Sequence, residues 1–169
     1  GIGKALLDQG WCLWSQGRIA VSQESFRSAV DRLPFSVEQA EARFKWADTQ
    51  FAAKDFAAAV TNYNSVAEKY ISLPEAKDRR LIERALYQSA RAALNEHDLA
   101  AASSALKNIL AWFPNGFAGP SALLLTGQEM VNQNDPAGAR QLFAQFNQMY
   151  PENLLRAEVR LAIGRSFEA

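Results

Sequence analysis

His97 is followed by Asp98, and a histidine oriented by a carboxylate is a familiar general base. That chemistry needs a nucleophile or a second catalytic group beside the pair, and the spacing supplies neither. Both residues fall in a polar turn slot that Gly17-Arg18, Lys54-Asp55 and Asn134-Asp135 occupy elsewhere, so the pair reads as a turn. Cys12 follows Trp11 in an amphipathic segment and reads as a half-buried small apolar residue rather than a reactive thiol. A single cysteine and a single histidine form neither an internal disulfide nor an ordinary zinc site. Glu38 and Glu41 lie one turn apart at a helix start, where carboxylates favour the helix dipole. No glycine-rich phosphate loop, Ser-x-x-Lys, His-Glu-x-x-His or Cys-x-x-Cys pattern occurs. The chain is therefore expected to lack catalytic residues, metal and cofactor, and binding is the chemistry that remains.

The elements that must present a binding surface follow from composition. Of 169 residues 49% are apolar, which suits one folded domain. Lysine and arginine total 18, as do aspartate and glutamate, so the basic excess of a nucleic-acid-binding surface is missing. Apolar runs such as Phe56 to Val60 are far shorter than the roughly 20 residues of a membrane span. Alanine and leucine outnumber valine, isoleucine and threonine, which favours helix over strand. Prolines at 34, 74, 114, 120, 136 and 151 fall mostly between amphipathic segments and punctuate the helices.

A repeat organises these helices. Gly10, Ala47, Ala90, Gly127 and Gly164 are equivalent, at intervals of 37, 43, 37 and 37 residues. Further along each unit come Ser22, Ala59, Ala102 and Ala139. Four residues later stand Phe26, Tyr63, Leu106 and Phe143, and three more bring Ala29, Val66, Ile109 and Phe146. This spacing marks one face of a helix. Each unit is thus predicted to be a helix hairpin. Boundaries fall near 3–34, 40–73, 74–114 and 120–151, with a last helix at 154–169 and all of them in one domain. The six extra residues before the third unit, with Pro74 at a helix start, predict one long helix from about Pro74 to Asn95 that projects past its neighbours. Lys77, Arg79, Arg80 and Arg84 would decorate it.

The pattern of a small residue, an aromatic, an alanine, a second aromatic and a closing proline resembles the tetratricopeptide repeat family. Ala40 to Tyr70 carries it most completely, with Ala47, Phe56, Ala59 and Tyr63 in family positions, whereas Pro136 and Phe146 depart from it. The resemblance implies an all-α fold, an α-α superhelix in which antiparallel hairpins stack as a solenoid. It also implies a concave face, lined by the first helix of each unit, that holds a peptide or a partner protein. Residues carried onto the groove-facing slots are Trp11, Trp14, Phe44, Asp48, Phe51, Tyr87, Arg91, Gln128 and Arg165. Tryptophan, tyrosine and arginine are the residue types of binding hot spots, although aromatics at this spacing also suit a core. The clamp for a terminal carboxylate used by some members needs asparagine and lysine where this chain has Trp11, Asp48 and Arg91. A chaperone-tail binder is disfavoured.

Leu6, Leu7, Trp11 and Trp14 at one end, and Leu161, Ile163 and Phe167 at the other, leave both terminal helices without a polar outer face. The chain is accordingly expected to be a segment of a longer repeat protein, or to self-associate through its end helices as an assembly module. Repeat length and the Trp112-Phe113-Pro114 and Met149-Tyr150-Pro151 endings are similar to repeat proteins of the bacterial envelope, including lipoproteins that assist outer-membrane assembly. That likeness leans towards the periplasm; the sequence does not fix the compartment.

Overall fold

A computed structural model describes residues 1–169, which form ten helices and no strand. Four hairpins account for eight of the helices: α1 (Ile2–Ser15) with α2 (Ile19–Arg32), α3 (Val37–Ala52) with α4 (Phe56–Lys69), α6 (Leu81–Asn95) with α7 (Leu99–Trp112), and α8 (Ala118–Asn132) with α9 (Pro136–Met149). A short α5 (Pro74–Asp78) precedes the third hairpin, and α10 (Arg156–Ser166) is a first helix standing alone. Each helix packs on the next along the chain, with α4 passing over α5 to rest on α6, and α6, α8 and α10 also touch in sequence. The architecture is an α-α superhelical repeat.

Every hairpin turns the same way. Gly17, Lys54, His97 and Asn134 occupy the left-handed region, with φ of 75°, 63°, 59° and 64°. The following residue, Arg18, Asp55, Asp98 or Asp135, donates its backbone N–H to Leu13, Gln50, Ala93 or Met130 at 3.0, 2.9, 2.9 and 2.8 Å. This is the closure that satisfies the last carbonyls of a helix. Asp98 and Asp135 then cap the second helix by accepting from the N–H of Ala101 and Gly138.

The small residue of each first helix receives the large residue sixteen positions later. A Cβ added at Gly10 would lie 2.6 Å from the ring of Phe26, and one at Gly127 only 2.3 Å from that of Phe143. Both phenylalanines are fully buried, as are Ala47 and Tyr63, and Ala90 and Leu106 stand buried in the third unit. Close helix approach and a filled core therefore have one cause. One large cluster runs from α3 through α10, and a smaller one of Leu7, Phe26, Ala29, Val30 and Ala42 joins α1, α2 and α3.

Two sequence-based expectations are corrected. Pro74 to Asn95 is not one projecting helix: α5 and α6 are separated by a turn in which Arg80 has φ of 54°. The break folds α5 back, so that Ala76 is fully buried and the Arg79 guanidinium reaches Glu41 on α3. Cys12 is exposed rather than half-buried, because Gly3, Leu7, Gly10 and Leu13 form the buried face of α1 and Cys12 lies off it. Its sulfur accepts from Gln16 Nε2 at 3.3 Å.

Candidate protein-binding groove

The first helices α3, α6, α8 and α10 leave a cleft at each junction. Between α3 and α6 a cleft of about 270 Å³ is lined by Phe44, Asp48, Arg84, Tyr87, Gln88 and, from the approach to α8, Phe117. Between α6 and α8 Arg91, Leu94, Asn95 and Leu125 line about 260 Å³. Gln128, Val131, Asn132, Ala162 and Arg165 line about 250 Å³ between α8 and α10. The three clefts lie at successive junctions of the first helices, and each offers apolar and polar contacts together.

At the α1 end the wall is closed by a side chain. Lys45, only 7% exposed, sets its ammonium 3.8 Å from the ring centre of Trp14 and 4.7 Å from that of Trp11. Its charge is matched by Asp48 Oδ2 at 2.9 Å. A buried cation with a carboxylate and two aromatic faces is compensated on every side. The other oxygen of Asp48 accepts from the hydroxyl of Tyr63, whose ionisation is pushed well above the usual tyrosine range by burial and then by the Asp48 charge.

The nine sequence-selected residues thus have different surroundings. Trp11 is 46% exposed and packs edge-on against Phe26, while Trp14 is half-buried beneath Lys45. Phe44 is buried in the core against Tyr63, with part of its ring on the first cleft. Phe51 is half-buried against Phe56 with the Arg91 guanidinium 5.3 Å from its ring centre. Tyr87 meets Phe117 edge-on at 5.9 Å. Arg91 and Arg165 are exposed, Gln128 is half-buried, and Asp48 is held by Lys45 and Tyr63. Sequence reasoning did not single out Lys45 or Phe117. Lys45 meets partners more than thirty residues upstream, which no local spacing reveals, and Phe117 lies in a connecting segment outside the repeat pattern.

His97 joins two repeats. Its Nδ1 lies 2.7 Å from Glu129 Oε1 on α8, and its carbonyl accepts from Gln133 Nε2 at 2.8 Å. Glu96 beside it accepts from the Ala57 N–H at the start of α4, 3.1 Å away. Burial pushes the Glu129 carboxyl up, but hydrogen bonds from Gln133, His97 and Asn132 outweigh it and hold the group below its ordinary 4.5. A depressed carboxyl contributes stability that is present above its unfolded value and lost as pH falls through the folded one. The melting temperature is therefore expected to fall on acidification below about pH 4.5. Glu129→Gln should flatten that part of the profile, which thermal melts across the acid range will show.

Residues 41–70, the segment of α3 and α4, match the family model for the tetratricopeptide repeat. No curated protein matches the chain. The match supports a tetratricopeptide repeat family, whose repeats generally mediate contacts between proteins and are typically non-enzymatic. No helix is long and apolar enough to cross a membrane.

Proposed function

We propose that the protein is an interaction scaffold that holds a segment of a partner protein along the face formed by its first helices. The observation that carries this reading is the succession of clefts between α3, α6, α8 and α10, bordered by Tyr87 and Phe117 at one end and by Arg165 at the other. Large, few-rotor side chains beside a concave surface supply contact area at little entropic cost. Peptides selected on the wild-type protein from a displayed random library should bind Tyr87→Ala and Phe117→Ala, both on the first cleft, at least about tenfold more weakly, with helicity by circular dichroism unchanged. Affinities equal to wild type in both variants would refute the groove reading.

A second reading has its own observation. Leu161 on α10 is 63% exposed and Phe167, just past its end, 70%, and a Cβ at Gly164 would meet nothing within 4 Å. This face suits end-to-end assembly. Sedimentation showing oligomers that grow with concentration, and that Leu161→Glu disperses, favours assembly; a monomer at all concentrations rules it out.

A further inference from the structure

Electrostatics along the groove specify the partner more closely than its shape does. Arg84 and Arg91 on α6 and Arg165 on α10 are exposed, and none of them forms an ion pair. They border the first, second and third clefts respectively. Two acids of α3 are already engaged, Asp48 with Lys45 and the Tyr63 hydroxyl and Glu41 with Arg79, while the exposed Glu158 on α10 lines none of the three clefts. Asp48 and Arg84 share the first cleft without pairing. Two of the three guanidiniums rest on aromatic rings, Arg84 4.7 Å from the centre of Phe44 and Arg91 5.3 Å from that of Phe51. Arg91 also donates Nη1 to Gln88 Oε1 at 2.8 Å, and a guanidinium resting on a ring keeps its remaining edge donors for a carboxylate. Arg84 and Arg91 are two turns apart, about 10.5 Å along α6, so the positive edge crosses the width of the groove as well as running down it.

We propose that the groove's partner is an acidic extended segment, with carboxylates that pair with Arg84, Arg91 and Arg165. This rests on the groove reading and adds the chemistry of its occupant. The whole chain is formally neutral, so the attraction is local to this face and not a consequence of net charge. It also accounts for what the second repeat does with its own charges. Neutralising Asp48 and Glu41 internally keeps them from repelling an acidic chain.

The test uses two fluorescein-labelled twelve-residue peptides of otherwise equal sequence, one with glutamate at every third position and one with glutamine there, in polarisation titrations against the full chain. The glutamate peptide should bind at least about tenfold tighter, and the difference should shrink as salt is raised. Arg91→Glu and Arg165→Glu should each weaken it about tenfold, whereas Lys107→Glu on the second-helix side should leave affinity unchanged. Equal affinity for both peptides, insensitivity to both arginine reversals, or no binding of the glutamate peptide would overturn the proposal. Failure here is separable from failure of the groove reading. If both peptides bind alike and both lose affinity in Tyr87→Ala, the groove stands and the acidic preference falls; if the glutamate peptide binds but neither Tyr87→Ala nor Arg91→Glu affects it, the site lies elsewhere and both fall.

Discussion

Truncating Phe143 to alanine is expected to lower the unfolding free energy by about 3–5 kcal/mol. The ring is fully shielded from water and lies against Gly127 of the partner helix in the same repeat. Removing it forfeits the transfer energy of a large side chain and leaves a cavity that α8 and α9 cannot collapse, since Ala139 and Phe146 already fill the positions on either side. Urea titration followed by circular dichroism reads this as a lower midpoint. A loss below about 1 kcal/mol would mean that the ring is not the one filling the α8–α9 interface.

The second large effect is a contrast in sign between two positions that are equivalent in sequence. Gly127→Ala is expected to destabilise by about 1–2 kcal/mol, because its Cβ would come within 2.3 Å of a buried ring that has nowhere to go. That clash outweighs a gain in helix propensity of about 1 kcal/mol. Gly164→Ala, one repeat later, meets nothing within 4 Å and is expected to raise stability by about 0.5–1 kcal/mol. Propensity alone would give both substitutions the same sign. Thermal melts of the two variants therefore separate a packing role for these glycines from a merely conformational one.

The hairpins were legible in the sequence because small and large residues recur at fixed offsets, and a buried interface allows little freedom at such offsets. The same logic located the turns, where Gly17, Lys54, His97 and Asn134 share one backbone conformation. It failed at Arg80, a non-glycine residue in the left-handed region: no glycine or proline marks the break, and only the burial of Ala76 accounts for it. It failed also at Cys12, where proximity to Trp11 suggested burial although the helix turns that position outward.

Of the groove, the first-helix slots were legible and their chemistry was not. Asp48 falls on a groove-facing slot, yet the fold commits it to Lys45 and Tyr63. Phe44, chosen as a contact, contributes chiefly to the core and offers the cleft one part of its ring. These contacts lie within the α3–α4 hairpin, and a period read along the chain marks which positions face inward without recording which of them pair. The arrangement leaves three arginines on the groove without an ion pair, and the acidic-segment proposal follows from that remainder.

A double-mutant cycle between Gly127→Ala and Phe143→Leu tests most directly whether a small residue in each first helix exists to receive the large residue sixteen positions later. Leucine is a natural partner for alanine at this place, since the third unit carries Ala90 and Leu106 there. The predicted result is that Gly127→Ala costs about 1–2 kcal/mol with Phe143 present and close to nothing, or a small gain, with leucine there. Equal costs in both backgrounds would mean that the two positions do not touch, and the register on which the stack and its groove are built would be wrong.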